Sequence, residues 1–370
     1  MVKNKKINIG LVFGGKSGEH EVSLLSAKSI YEALDKNKYN VFLIGVDKQG
    51  RWLLGNPANY LLNSTNPKLI ALNKSVSTNI VPVNKDNSSE IIAMESGRKL
   101  GKIDVFFPII HGTYGEDGSL QGMFEMINSA YVGAGVIGSA LGMDKDVQKR
   151  LLSLAGINIA KFMAIRKSQF NKKTKAKILK KFFFPFFVKP ANTGSSVGIS
   201  KVHNLKEFNV ALNDAFKYDL KIMIEEFIQG REIECSVMGN DKPIASVLGE
   251  VIPHHEFYSY EAKYIDENGA DLLIPADLPK KVAKEIQETA VKTFLTLECS
   301  GFARVDFFLT PKNKIYINEI NTLPGFTKIS MFPKLFNASG ISYPEILDRL
   351  INLAIEKKKE KDKLKRSYTP

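Results

Sequence analysis

Apolar and polar positions along the first 140 residues follow the pattern of a parallel α/β unit. Residues 7–13 (INIGLVF) and 41–46 (VFLIGV) are apolar runs of buried-strand length, and apolar residues recur at helical spacing between them. A third run, 103–110 (IDVFFPII), predicts another central strand. The polar stretch from about 56 to 89 predicts peripheral hairpins or an insertion. We therefore expect a Rossmann-like α/β domain with a parallel sheet over residues 1–140.

Beyond about residue 141 the apolar runs are separated by glycine-bearing turns, which is typical of antiparallel sheets. Helical segments alternate with these runs, which predicts two α+β subdomains over 141–228 and 229–356, followed by a basic tail over 357–370. Ser342 and Glu345 match a capping box and predict the start of a final helix. The expected strands are 183–189, 198–202, 222–228, 233–238, 243–251, 302–309 and 315–320, with a helix over 285–297.

The composition is that of an ordinary globular protein of two to three domains. The chain has 370 residues, of which 44% are hydrophobic and 25% charged. No apolar run approaches the ~18 residues of a membrane span, and Asn8 and Gly10 interrupt the first run, which predicts a strand rather than a signal peptide. Cys235 and Cys299 lie within apolar segments. We expect buried thiols, a reducing cytoplasm and no membrane partner.

The net charge of +13 is concentrated in two stretches. Residues 161–181 hold nine basic residues and no acid, while residues 356–366 hold seven basic and three acidic residues. Together they account for the whole excess. Neither stretch has the pattern of aromatic residues and arginines that recognises bases. We interpret them as a solvated helix face and a frayed tail, and expect no nucleic-acid partner.

Two glycine motifs match nucleotide-binding signatures by their letters alone. Residues 10–17 (GLVFGGKS) fit a P-loop, but Leu11, Val12 and Phe13 have the character of a strand rather than of a phosphate-wrapping turn. Residues 133–138 (GAGVIG) fit a dinucleotide fingerprint, but no acidic residue lies about 20 positions later to hold a ribose. We expect both to be false matches, and keep a P-loop or dinucleotide-binding module as an alternative function.

A predicted hairpin carries polar side chains at alternating positions. Arg304 and Asp306 are two residues apart in the strand 302–309, so both point from one face while their neighbours pack on the other. Glu319 and Asn321 repeat this arrangement on the returning strand. The oxygen atoms of Asp306, Glu319 and Asn321 predict a divalent-cation site suited to Mg²⁺. A solvent-facing polar edge is the alternative, which the strongly apolar flanking residues disfavour.

Two further segments have features of a nucleotide site. Lys189 is followed by PANTGSSVG, a loop of small residues that can close over phosphate oxygens while the lysine supplies a charge. The segment 225–232 (EEFIQGRE) offers backbone groups and carboxylates for a purine base and its ribose. A plain hairpin turn is the alternative for the loop.

Four blocks in the chain together resemble one family. They are GGKSGEHEVS at 14–23, HGTYGEDGSLQG at 111–122, FFVKPANTGSSVGISKV at 186–202, and a long pattern from GFARVDFF at 301 to EINTLPG at 325. In this order they resemble the D-alanine–D-alanine ligases of the ATP-grasp superfamily, over about residues 7–345. The resemblance implies that the two α+β subdomains with antiparallel sheets are ATP-grasp subdomains.

The activity implied by this resemblance is ATP-dependent ligation of two D-alanine molecules through an acylphosphate, with release of ADP and phosphate, for peptidoglycan precursor synthesis. ATP and two Mg²⁺ ions, with Mn²⁺ as a substitute, are the implied cofactors, and the family suggests a homodimer. A D-alanine–D-lactate ligase or another ATP-grasp carboxylate–amine ligase stays open. The segment 257–264 (FYSYEAKY) ends in Lys-Tyr, which in the family accompanies dipeptide synthesis.

The resemblance also implies roles for individual residues. Glu19 would hold the ammonium of the first substrate and be linked to Ser195 and Tyr264. Arg304 and the amide of Gly325 would face the reacting carboxylate. The residues implied around the substrates are His111, Lys263, Ser330 and Met331. The residues implied to contact ATP are Lys145, Lys189, Ser196, Glu225, Phe227, Ile228 and Glu232. The implied metal ligands are again Asp306, Glu319 and Asn321.

Overall fold

A computed structural model describes residues 5–64, 66–85, 88–254, 269–327 and 329–368. Its strands form an eight-stranded, a four-stranded, a five-stranded and a two-stranded sheet. None of the helices within these ranges combines the length and the apolar character needed to cross a membrane.

The N-terminal region contains the eight-stranded sheet. Its elements are β1 Ile7–Gly14, α1 His20–Ala33, β2 Tyr39–Val46, β3 Trp52–Gly55, β4 Leu61–Leu62, β5 Ala71–Leu72, a 3₁₀ turn Lys74–Val76, β6 Thr78–Lys85, β7 Ser88–Ala93, β8 Lys99–Ile103, β9 Val105–Pro108, α2 Ser119–Met126, β10 Ala130–Tyr131 and α3 Val136–Met143.

The sequence predicts a parallel sheet, but only one half of the eight-stranded sheet is parallel. β10, β9, β1 and β2 are parallel neighbours, as the α/β pattern predicts. The sheet continues beyond β2 through β3, β6, β7 and β8, which pair antiparallel. The turn between β2 and β3 is too short for a parallel crossover, so the chain reverses direction there. The polar stretch thus supplies antiparallel hairpins, and β4 and β5 form a small separate pair.

The central region is a four-stranded antiparallel sheet in the order β11-β14-β12-β13. Apolar side chains of two helices, including Ile178 and Phe208, pack in one core with the sheet residues Val188 and Ile224. The elements are α4 Lys145–Leu154, β11 Phe162–Arg166, a 3₁₀ turn Lys167–Gln169, α5 Lys172–Lys181, β12 Phe186–Pro190, β13 Ser200–Val202, α6 Leu205–Tyr218 and β14 Lys221–Glu226.

The C-terminal region contains the five-stranded antiparallel sheet, ordered β17-β16-β15-β18-β19. Cys235 lies in β15 and Cys299 lies just before β18, and both are buried, as predicted. Burial raises the pKa of each thiol to about 12. The elements are β15 Arg231–Gly239, β16 Ile244–Pro253, β17 Ala270–Leu273, α7 Lys280–Thr296, β18 Gly301–Leu309, β19 Ile315–Asn321, α8 Met331–Ala338 and α9 Tyr343–Asp362.

Helix α9 corrects two expectations about the end of the chain. It begins after Ser342, but that side chain makes no capping hydrogen bond, so the expected capping box is not formed. The helix continues to Asp362, so residues 357–362 are not a frayed tail. Lys361 is ion-paired with Glu125, and Lys357 donates to the Ser300 hydroxyl at 2.6 Å. Apolar residues of α9 share a core with β1 and α1 of the N-terminal region.

Candidate active site

A pocket of about 820 Å³, counting its open mouth, lies between the central and the C-terminal sheets. Residues of β12, of the β18–β19 hairpin and of the segment that joins β14 to β15 line it. The pocket brings together residues from distant parts of the chain that sequence analysis assigned to ATP. The predicted residues that line it are Lys145, Lys189, Ser195, Ser196, Phe227, Ile228, Glu232 and Glu319.

Glu225, also assigned to ATP, lies beneath the pocket rather than in its lining. It is 1% exposed, and its carboxylate is ion-paired with both Lys189 and Lys149. Burial alone raises the pKa of Glu225, but the charges of the two lysines outweigh it and hold that pKa below its ordinary value. Lys149 is a site residue that sequence analysis missed. Its spacing of four residues from Lys145 on one helix was the available signal.

An aromatic surface flanks the end of the pocket where the base is expected. Phe227 is 37% exposed, and its ring lies 6.2 Å from that of Phe187, centroid to centroid. The ammonium of Lys201 stands 4.1 Å from the centre of the Phe227 ring. A flat apolar face held between cationic and aromatic neighbours is suited to stacking against a purine.

The loop over the pocket has an unusual backbone. Ser195 and Ser196 both have positive φ, at 49° and 61°. Such left-handed residues other than glycine cost of order 1–3 kcal/mol each, and cluster at ligand clamps. Two contacts hold the loop down: the Ser195 hydroxyl donates to Glu19, and Lys145 donates to the carbonyl oxygen of Thr193 at 2.7 Å.

Glu19 is held in a narrow space between two glycines. It is 7% exposed at the start of α1. A Cβ atom at Gly112, where φ is +78°, would lie 2.5 Å from Glu19 Oε2, and one at Gly194 would lie 2.9 Å away. A side chain at either position would force the Glu19 carboxylate to move, and the positive φ of Gly112 also favours glycine there. The Glu19 carboxylate accepts a hydrogen bond from Ser195, the link that the resemblance implies.

The β18–β19 hairpin forms and brings Asp306, Glu319 and Asn321 to neighbouring positions, as the sequence predicts. Asp306 pairs with Glu319, and Arg304 pairs with Asn321. Arg304 donates two hydrogen bonds, of 2.7 and 2.6 Å, to the carboxylate of Asp306. The Nε atom of Arg304 also lies 3.0 Å from the carboxylate of Glu234. Arg304 is therefore oriented by two carboxylates, of which Glu234 is another residue that sequence analysis missed.

The donor atoms of this hairpin suit a hard divalent cation. The carboxylates of Asp306 and Glu319 share a face with the amide of Asn321, and Lys145 Nζ stands 3.4 Å from Glu319. Within the described ranges, no three histidine, cysteine or acidic side chains gather as a metal centre. The predicted set consists of two carboxylates and an amide, the oxygen chemistry that Mg²⁺ takes beside substrate phosphates.

His111 is buried, with both ring nitrogens engaged. Nδ1 lies 3.0 Å from the carbonyl oxygen of Leu323 and 3.5 Å from Glu116, while Nε2 lies 3.1 Å from the Ser26 hydroxyl. Burial favours the neutral ring, but the hydrogen bond and charge of Glu116 outweigh it and raise the pKa of His111. His111 thus ties the N-terminal region to the loop that precedes Gly325.

The remaining predicted residues have different surroundings, and two of them lie outside the described residues. Ser330 lies just before α8 and its hydroxyl accepts from Thr327 N at 3.0 Å. Met331 packs in an apolar cluster with Val251 and Leu335, so its side chain belongs to the core. Gly325 lies against Ser330, whose hydroxyl would be 2.7 Å from an added Cβ. Lys263 and Tyr264 lie outside the described residues, as does the whole segment 257–264.

The structure explains why the two glycine motifs, at 10–17 and 133–138, contain their glycines without being nucleotide-binding loops of the types that their letters suggest. Leu11, Val12 and Phe13 belong to β1, which confirms that they are a strand and not a phosphate-wrapping turn. In the second motif, a Cβ atom at Gly138 would lie 2.7 Å from the carbonyl oxygen of Glu298. That glycine allows α3 to pack closely against the segment before β18.

Comparisons with known proteins agree with this geometry. The chain matches the family model for the D-ala D-ala ligase N-terminus over residues 8–134 and that for the C-terminus over residues 151–352. A D-alanine--D-alanine ligase from Oceanobacillus iheyensis is 53% identical over 362 residues, which cover 98% of this chain and 99% of that protein.

Solved structures give the same picture. The D-alanine-D-alanine ligase from Coxiella burnetii superposes with a TM-score of 0.86 at 39% identity, covering 97% of each chain. The VanG D-Ala:D-Ser ligase from Enterococcus faecalis superposes with a TM-score of 0.82 at 34% identity, covering 95% of this chain and all of that one. The protein therefore belongs to the D-alanine–D-alanine ligase family, with an ATP-grasp fold.

Proposed function

We propose that the protein joins two D-alanine molecules into D-alanyl-D-alanine at the expense of ATP, supplying the dipeptide for peptidoglycan precursors. The observation that carries the proposal is the convergence on one pocket of Lys145, Lys189 and Glu319 of the β18–β19 hairpin, under a loop bonded to Glu19. This arrangement supplies phosphate-binding charge beside a carboxylate suited to an ammonium group. Family membership identifies the reaction.

The first step makes the carboxylate of one D-alanine reactive. A carboxylate oxygen attacks the γ-phosphorus of ATP, and the bond between this phosphorus and the oxygen that bridges it to the β-phosphorus breaks. The products are ADP and an acylphosphate. Positioning and charge neutralisation do most of this work. Lys145 and Lys189 line the pocket, and we assign them to the phosphate oxygens. Glu19 would bind the substrate ammonium and orient its carboxylate.

The second step forms the amide bond. The neutral amine of the second D-alanine attacks the acyl carbon and forms a tetrahedral intermediate. The bond from that carbon to the phosphate oxygen then breaks, and the departing phosphate takes the proton that the nitrogen loses. The oxyanion formed on the way requires donors already in place, and loss of one such donor costs on the order of 10² to 10³ in rate. Arg304, fixed by Asp306 and Glu234, and the amide of Gly325 are the donors we assign.

We propose Mg²⁺ as the metal, held by Asp306, Glu319 and Asn321. When bound, it neutralises phosphate charge and polarises the transferred group. Two ions, or Mn²⁺ in place of Mg²⁺, fit the same oxygen donors. The cytoplasmic location and the homodimer also stay predictions.

The choice of acceptor is the finer part of the proposal. D-lactate would give an ester, and the similarity to a D-Ala:D-Ser ligase makes D-serine a second acceptor to test. We propose that Tyr264 completes a hydrogen-bond chain with Ser195 and Glu19, and that Lys263 attracts the carboxylate of the acceptor.

Product analysis with mixed acceptors tests this proposal. With ATP, D-alanine and equal D-lactate or D-serine at neutral pH, mass spectrometry should find mainly D-alanyl-D-alanine. Tyr264→Phe should weaken the preference over D-lactate. Equal use of the acceptors by the unmodified protein, or an unaltered preference in Tyr264→Phe, would count against this choice of acceptor. Absence of every ligation product would overturn the ligase itself.

A further inference from the structure

Lys149 lies directly beneath the pocket and has no role in the mechanism above. Its side chain is 1% exposed and follows Lys145 by about one turn of α4. The ammonium is ion-paired with Glu225 of β14 and donates to the carbonyl oxygen of Asn318 in β19 at 3.1 Å. One side chain therefore joins the helix and the two strands that carry ATP-site residues.

The charges around Lys149 show what it contributes. Glu225 is shared by Lys149 and Lys189, so this buried group of three carries a net positive charge. Burial lowers the pKa of Lys149, although the charge of Glu225 opposes that shift. A buried carboxylate remains ionised only when it is paired. Without Lys149, the full negative charge of Glu225 would act on Lys189 alone and cancel its attraction for phosphate.

We propose that Lys149 is a positioning residue for ATP. It neutralises Glu225, which leaves Lys189 a positive charge toward the pocket. It also anchors the strand at Asn318, next to Glu319. This inference rests on the proposed function, because it assumes that ATP binds in this pocket.

Lys149→Gln tests the electrostatic part, since glutamine keeps a donor for Asn318 but removes the charge. Lys221→Gln is the matched control: Lys221 is 8% exposed and is ion-paired at 2.6 and 3.1 Å with Asp144 and Asp146, which do not line the pocket. Both variants should lower the melting temperature. Only Lys149→Gln should raise the KM for ATP, by about tenfold or more, while the KM for D-alanine changes by less than about twofold.

The double variant K149Q/E225Q separates the electrostatic role from a structural one. Compared with E225Q alone, it should show a KM for ATP changed by less than about threefold, because no negative charge remains to be neutralised. If K149Q alone does not fold, the comparison of K149Q/E225Q with E225Q still tests the inference. An unchanged KM for ATP in K149Q, a rise matched by K221Q, or the same tenfold effect in the E225Q background would overturn the inference. Failure of the unmodified protein to use ATP with D-alanine would instead overturn the proposed function.

Discussion

Asp306 and Glu319 face each other across the β18–β19 hairpin, and each contributes oxygen atoms to the site proposed for magnesium. Glu319→Gln and Asp306→Asn each remove one negative charge from that site while keeping the shape of the side chain. We expect either change to lower kcat by about 10²-fold or more at low Mg²⁺. Glu319→Gln should change the free energy of unfolding little, whereas Asp306→Asn also loses the ion pair with Arg304 and should lower it. Steady-state kinetics over a Mg²⁺ series and thermal unfolding measure the two effects.

Asp47→Asn is a suitable control for these variants. Asp47 is buried in the N-terminal region and hydrogen-bonded to Arg51 and Lys74 at 2.8 and 3.0 Å. Its loss should lower stability and leave kcat unchanged. Near-normal activity of both hairpin variants at low Mg²⁺ would show that the metal site is misplaced.

Single residues differ in how far sequence alone could place them. The period-two pattern of Arg304 and Asp306 placed both on one face, because alternation in a strand is local geometry. Glu225 and Lys149 could not be placed this way. Their ion pair joins β14 to α4, residues 76 positions apart in the chain, and only the packing of the two regions creates it. Burial of Glu225 below the pocket has the same origin.

At the scale of elements, β1 and its following turn decide whether the N-terminal glycine motif binds ATP. The P-loop letters include Lys16, whose ammonium lies 5.7 Å from the centre of the Tyr114 ring. Because the preceding residues form a strand, Lys16→Ala should leave the Kd for ATP within about twofold of the unmodified value. Calorimetric titration measures it, with Lys189→Ala as the variant expected to lose affinity. A tenfold loss in Lys16→Ala would restore the P-loop alternative.

Lys357, in the last two turns of α9, should make the free energy of unfolding depend on pH. Burial lowers the pKa of Lys357 to about 8, from an ordinary value of 10.5. Between these values the unfolded chain binds more protons than the folded one, so this residue makes the free energy of unfolding rise with pH. Relative to Lys357→Met, the unmodified protein should therefore gain stability from about pH 8 to 10, and a flat difference would contradict the assignment. Denaturant unfolding across this range measures it.

Element types were predictable where the pattern is local. Most strand and helix positions from 183 onwards agree with the periodicity, because each element buries one face. Peripheral hairpins were one of the two predictions for the polar stretch 56–89, and β6 and β7 form such a hairpin. Their membership of the same sheet as β1 and β2 was not predicted, since polar hairpin strands lack the continuous apolar run of a buried strand. The extension of α9 was missed because its lysines suggest solvent, whereas Lys357 and Lys361 have partners outside this helix.

At the scale of the whole molecule, the active site depends on contacts between the N- and C-terminal regions. Phe302, Phe326 and Phe332 of the C-terminal region share a core with Ile9 and Leu11 of β1. Glu19 of the N-terminal region also contacts Ser195 of the central region. The sequence blocks identified the participants in their order, but distances between them arise from tertiary packing. The domain boundaries proposed from composition stay a prediction, because α9 packs with the N-terminal core.

The central claim is that ATP hydrolysis in this protein is coupled to joining two D-alanines. The direct measurement follows ADP, inorganic phosphate and dipeptide together in one reaction of the purified protein with ATP and Mg²⁺. We predict that D-alanine starts the reaction, that L-alanine does not, and that one ADP and one phosphate appear for each D-alanyl-D-alanine. No phosphate release with D-alanine at neutral or alkaline pH, or phosphate release without dipeptide, would contradict the account.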